Sequence, residues 1–247
     1  MHGFWNRLKA GWYHKGLGYS TFAKVAVPLI LEKAGKAKTF LDVGAGCGTL
    51  SIPIAKAGKK VTAMDPSVAM IYYLKEDIKK IGLKRVTPVL SAWGGVKLQP
   101  HDVILCANVP QLLKSNRPFL DEAASLAKKA LFFIESADPS ADKFYYKELY
   151  PLLFNKQLEG RTDYLQTYAM LHDMGIFANV EIIEYDFDQP FDDMAEALMF
   201  WKEYMGIVTE EHDAKLEGFL RTKLVKKGKI LLAKFHKKAA VIWWKKG

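Results

Sequence analysis

The residues best placed to do chemistry lie in Phe40-Leu41-Asp42-Val43-Gly44-Ala45-Gly46-Cys47-Gly48-Thr49-Leu50, where a β-type run hands over to a helical one. Glycines at 44, 46 and 48 let main chain lie flush against a ligand and take the positive φ values of a tight turn. A dinucleotide-binding turn would place its third glycine at position 49, over a pyrophosphate, and Thr49 stands there instead. This spacing argues against a nicotinamide or flavin enzyme. About 20 positions on, where an acid at the end of a second strand can take both hydroxyls of a ribose, the sequence has Asp65. Taken singly, a glycine-rich loop is a common turn, and an aspartate before Pro66-Ser67 is as readily a helix cap. Together, in strand–turn–helix–strand order, they point to a nucleoside ligand.

The flanking pattern supplies the elements that would hold these residues. From Lys38 onward short β-type runs alternate with helical ones, the mark of a mostly parallel sheet with helices on both faces. Strands are expected near Thr39–Val43, Lys60–Ala63, Val86–Leu90, Asp102–Cys106 and Ala130–Ile134, with helices near Thr49–Ala57, Ser67–Ile81 and Arg117–Lys129. Further helices are expected over Ala141–Phe154 and Tyr164–Met174, then a strand near Val180–Phe187 and a last, antiparallel strand near Ala239–Trp244. Between those two strands, Met194–Tyr204 and Glu210–Lys226 read as helices on an excursion too long for a hairpin loop. Residues 1–37 read as a helical cap with a helix from Ser20 to Ala34 ended by Gly35. The expected organisation is a cap over 1–37 and a catalytic domain over 38–247, interrupted by a helical insertion at about 190–227.

The run Asp42 to Gly48 resembles motif I of the class I S-adenosylmethionine-dependent methyltransferases, and Asp65 matches that family's ribose-binding acid. Ser91-Ala92-Trp93 is similar to the segment that flanks adenine after strand three. Asp102 to Val109 resembles strand four and the loop beneath the transferable methyl. The likeness spans residues 38–135 and implies a Rossmann-like methyltransferase sheet with its last strand antiparallel. It implies S-adenosyl-L-methionine as cofactor, held by Asp42, Gly44, Ala45, Gly46, Gly48, Asp65, Pro66, Ala92, Trp93 and Asn108. One departure is Ser91, where many relatives carry an aspartate for the adenine amino group; Trp93 then either packs on adenine or is simply core.

A sulfonium is already an activated methyl donor, so aligning an acceptor in a dry site is the main task, and positioning can supply about 7–11 kcal/mol of the barrier. No nucleophilic serine or cysteine is needed, and Cys47 and Cys106 read as packing residues. Any general base must come from loops at the carboxyl ends of the strands: Asn108, Gln111, Glu135, Asp138 or His172, with Asn108 the favoured candidate for holding an acceptor. No Cys/His spacing suggests a metal site.

The acceptor is open to three readings. An aromatic preface and a long helical excursion suit a small molecule that must be closed off from water. An excess of 36 lysines and arginines over 27 acids gives +9, and ten basic residues between Arg221 and Lys246 could neutralise the phosphates of tRNA or rRNA. Strand four, however, continues as Ala107-Asn108-Val109-Pro110, unlike the N-P-P-[YF] motif that grips a flipped adenine. The third reading is a protein that binds the cofactor without catalysis. Two cysteines, no secretory h-region and no apolar span of about 20 residues lead us to expect a cytoplasmic protein without a membrane partner.

Overall fold

The central strand β1 (Thr39–Val43) buries four consecutive residues, Phe40 to Val43, which only a strand covered on both faces can do. The computed structural model describes residues 4–114, 116–138, 142, 144–158 and 163–246. Two helices precede β1: α1 (Arg7–Leu17), capped by Asn6 accepting from the Lys9 amide, and α2 (Phe22–Ala34), ended by Gly35 at φ 56°. After β1 come α3 (Ser51–Lys56), β2 (Lys60–Asp65), α4 (Val68–Lys80, capped by Ser67), β3 (Val86–Leu90) and β4 (His101–Ala107). A one-turn α5 (Pro110–Leu113) and α6 (Arg117–Leu126) lead to β5 (Ala127–Ser136).

The chain continues through α7 (Tyr146–Phe154), α8 (Leu165–Asp173), β6 (Asn179–Asp186), β7 (Gln189–Phe191), α9 (Met194–Met205) and α10 (Asp213–Lys223). It closes with β8 (Val225–Lys227), β9 (Ile230–Ala233) and β10 (His236–Lys245). Seven strands form one sheet in the order β3-β2-β1-β4-β5-β10-β6. β10 pairs antiparallel with both neighbours, and β1 to β5 pair in parallel, so the expected mixed sheet with an antiparallel last strand is present. Alternate residues feed two cores. Phe40, Val103, Leu105, Phe132 and Ile134 meet α2, α3 and α4 on one face, while Leu41, Val43, Ile104, Cys106 and Phe133 meet α5, α6 and α8 on the other.

A third core collects Phe144, Leu149, Phe191, Phe200, Trp201, Leu216, Leu220 and Phe235, and takes in Trp12 from α1. The excursion after β6 is therefore more than two helices: β7, β9 and β8 make a small antiparallel sheet beside them. Strands of three or four residues are too short for alternation to announce them. Boundaries also move: the helix expected over Glu210–Lys226 spans Asp213–Lys223, because Val225–Lys227 turns extended into β8. The helix expected to reach Lys129 stops at Leu126, because Ala127 turns extended and passes straight into β5 without a loop. The helix expected from Ala141 begins at Tyr146; Phe144 and Tyr145 are left-handed, at φ 58° and 59°, and cannot start it sooner, while 139–141 lie outside the described residues. Among the described residues no helix is long and apolar enough to cross a membrane.

Trp201 is the largest side chain fully buried in the third core, and its indole N–H donates to the Phe144 carbonyl at 2.7 Å. Trp201→Phe should lower stability by about 1–3 kcal/mol through loss of that donor and of packed volume. Urea denaturation checks this; an unmoved midpoint would separate this core from the cooperative unit.

Candidate active site

The turn after β1 is folded down over the end of β2. The amides of Gly44 and Ala45 both donate to the Met64 carbonyl, at 2.8 and 3.0 Å, and the Gly46 amide donates to the Asp65 carboxylate at 2.9 Å. The glycines serve different ends. A Cβ at Gly44 would stand 2.3 Å from Val109 Cγ2, and one at Gly48 2.5 Å from Leu74 Cδ1, so both are needed for packing within the protein. At Gly46, with φ 55°, the nearest atoms would be 3.9 Å away, on Met70 and Tyr13. Bare main chain there faces open space.

That space is a cavity of about 1040 Å³ over the carboxyl ends of β1 to β4. The β1 turn contributes Asp42, Gly44, Ala45 and Gly46, and β2 contributes Asp65 and Pro66. Ala92 and Trp93 line it after β3, and Asn108 after β4. Gly48 is not among the lining residues; the packing against Leu74 and Ile52 accounts for it. Asn108 is held at φ 57°, a left-handed conformation that asparagine tolerates better than most residues, with its amide on the Ile134 carbonyl. Trp93 both lines the cavity and packs, edge-on to Phe119 at 4.9 Å, with its indole N–H on Glu122. Ser91 lines the cavity too, its hydroxyl donating to the Ala92 carbonyl. Of the five candidate bases, Asn108 and Gln111 reach the cavity, whereas Glu135, Asp138 and His172 are not among its lining residues.

Two carboxyls carry the electrostatics. Asp42 is buried and bonded by the Ser51 hydroxyl at 2.6 Å; burial outweighs that bond, and with Asp65 nearby the group is pushed up to about 6. Asp65 accepts from the amides of both Gly46 and Ser67, and burial still raises it above the ordinary carboxylate range. It is not the cap of α4, a role Ser67 fills. The cysteines are inert by comparison: Cys47 donates to Met70 Sδ and is pushed up to about 12 by burial, and burial also raises the Cys106 thiol well above its ordinary value. Among the described residues no group of three or more His, Cys, Asp or Glu is placed to hold a metal ion.

Sequence reasoning expected the aromatic preface and the 190–227 excursion to close over the acceptor without naming site residues in either; the preface lines the cavity, and no residue of 190–227 is among the lining residues. Phe4, Trp5, Asn6, Arg7 and Tyr13 all line the cavity, as does Thr49. They form a wall because α1 docks on α4, through His14 on Asp77 at 2.8 Å and Gly11 against the Tyr73 hydroxyl.

Residues 40–130 match the family model described as a methyltransferase domain, a stretch that contains the glycine turn, Asp65, Ala92, Trp93 and Asn108. The matched stretch is a methyltransferase domain. A solved S-adenosylmethionine-dependent methyltransferase from Aquifex aeolicus shares the fold with a TM-score of 0.55 at 19% identity, covering 96% of this chain and 98% of that one. An uncharacterized protein of Haemophilus influenzae is 25% identical over 210 residues, 83% of this chain and 75% of its own. The ribosomal RNA small subunit methyltransferase G of Actinobacillus pleuropneumoniae is 33% identical over 79 residues, 31% of this chain and 38% of that one.

The methyltransferase's residues fit its cofactor on their own terms. A cradle of bare backbone at Gly46 would be filled by any Cβ, and a buried acid beside it gains from a cation. Two outcomes follow. Gly46→Ala should cost about 1–2 kcal/mol of stability for the left-handed backbone, yet weaken S-adenosylhomocysteine binding far more, by over tenfold in calorimetry. Asp42 has a raised folded-state value, so its contribution to stability is full below about pH 4 and is lost as pH rises through about 6. Asp42→Asn should therefore stabilise the methyltransferase at pH 8 by about 2 kcal/mol and leave it unchanged at pH 3.5, measured by urea denaturation.

Proposed function

We propose that this enzyme transfers the methyl group of S-adenosylmethionine to a small-molecule acceptor enclosed beneath α1. The observation that carries this reading is the lining of the cavity, which includes Phe4, Trp5, Val68, Tyr72, Val109 and Leu112. Binding sites for small molecules are concave and mostly apolar, with a few placed polar groups. At about 1040 Å³ the cavity is at the upper end of single-ligand sites, roughly 300–1,000 Å³, which suits a cofactor and an acceptor together.

In this reading Gly44, Ala45 and Gly46 carry the main chain along the cofactor. Asp65 takes the ribose hydroxyls, Pro66, Ala92 and Trp93 border the adenine, and Asp42 faces the ammonium. When bound, the cofactor supplies an electrophilic methyl on a sulfonium. Asn108, which lines the cavity, orients the acceptor without changing charge, and the apolar lining residues keep water out. Alignment in a dry site is the main catalytic contribution.

A ribosomal RNA acceptor has the short match to the Actinobacillus enzyme in its favour, but that match covers 38% of the relative's length. The basic residues near the carboxyl end are divided among α10, the β8–β9 hairpin and β10. Lys238 and Lys245 sit at opposite ends of β10, roughly 24 Å apart at about 3.4 Å per residue. Arg221, Lys223 and Lys238 are paired with Glu217, Glu148 and Glu184, and the Lys246 ammonium donates to the carbonyls of Ala124 and Ala127. Lys226, Lys227 and Lys229 are left exposed on the β8–β9 hairpin.

Calorimetry tests the cofactor half: Asp65→Ala should weaken S-adenosylhomocysteine by about 1–3 kcal/mol, and unchanged affinity would remove Asp65 from the site. For the acceptor half, the purified enzyme should carry no RNA. Co-purifying RNA released between about 50 and 200 mM salt would decide for the polymer instead.

A further inference from the structure

Outside the glycine turn, the hydroxyls of Tyr13 and Thr49 meet at 3.1 Å on the cavity wall. Tyr13 comes from α1 and Thr49 from the stretch before α3, so two separate elements deliver this pair. The tyrosine ring is fixed on several sides. It stacks on Phe187, with centroids 5.6 Å apart and planes 26° apart, and lies 5.4 Å from the Trp5 ring. Its Cε1 would stand 3.9 Å from a Cβ on Gly46, which puts the ring beside the barest part of the turn.

Two hydroxyls hold two protons, and their mutual bond uses one. Among the described residues neither side chain has another hydrogen-bond partner, so one O–H remains to be donated. Burial pushes the Tyr13 phenol up to about 12, so it stays a neutral donor across working pH. Asp42, which has no proton to offer once ionised, lines the same cavity. An acceptor carboxylate and a spare hydroxyl donor in one cavity are complementary to the two charged groups of an α-amino acid.

We propose that the Tyr13–Thr49 hydroxyl pair binds the carboxylate of the cofactor's amino-acid end, opposite Asp42 at its ammonium, making α1 part of the cofactor site. This rests on the cofactor placement given above. A hydrogen bond to a charged group is stronger than one between neutral groups, so the pair should matter for ligands that carry the carboxylate and for no others.

The test compares two probes by calorimetry: S-adenosylhomocysteine, and 5′-methylthioadenosine, which keeps the nucleoside and thioether but lacks the amino-acid end. Tyr13→Phe preserves the ring and its stacking on Phe187. It should weaken S-adenosylhomocysteine about 10-fold or more and leave 5′-methylthioadenosine within twofold of native. Thr49→Val should show the same selective loss. Equal losses for both probes would mean a merely structural role and overturn the proposal, as would an unchanged affinity for S-adenosylhomocysteine in both variants. If the native chain binds neither probe, the cofactor placement itself falls and this assignment with it. Binding of 5′-methylthioadenosine alone by the native chain would overturn the carboxylate contact while sparing the nucleoside site.

Discussion

The site depends on how one turn is tied to the neighbouring strand. Three consecutive amides leave β1 and find acceptors on β2: Gly44 and Ala45 share the Met64 carbonyl, and Gly46 takes the Asp65 carboxylate. This arrangement satisfies donors that a buried turn would otherwise strand, at a cost of about 1–3 kcal/mol each. It also fixes Asp65 at the cavity edge and holds Gly46 open. The parallel pairing of β1 with β2 and β4 sets the height of this turn, since Asp42 sits opposite Ala63 on one side and Leu105 on the other.

Burial of charge is the second constraint. Asp42 and Asp65 both lie near the carboxyl ends of central strands, in surroundings that favour their neutral forms. Such placement is unfavourable for a structural carboxylate and reasonable for one that awaits a cation or hydroxyls. The stability given up there is offset by the two apolar cores on either face of the sheet.

Much of this was legible in the residues. β1, β3 and the sheet class follow from runs such as Thr39–Val43, which are apolar on both faces, and from turn residues between them. The glycine spacing and Asp65 located the cavity. Legibility ended where contacts are long-range. Gly48 shares its spacing with Gly46, but only the packed structure shows that Leu74 is its neighbour. Tyr13 is 36 residues from Thr49 and lies on a helix whose docking depends on α4 and β7. The lysine-rich carboxyl end looked like one patch in sequence, but its residues fall on α10, the β8–β9 hairpin and β10.

The indole of Trp12 sits in the third core and donates to Glu196 of α9, one residue before Tyr13 on the same helix. Lys15 adds ion pairs to Asp192 and Glu196. A single rod thus spans the nucleoside crevice and the auxiliary layer built from α9, α10 and the small sheet. Loosening of that layer would remove the contacts of Trp12 and Lys15 that seat this helix, and with them the support of the Tyr13 side of the crevice.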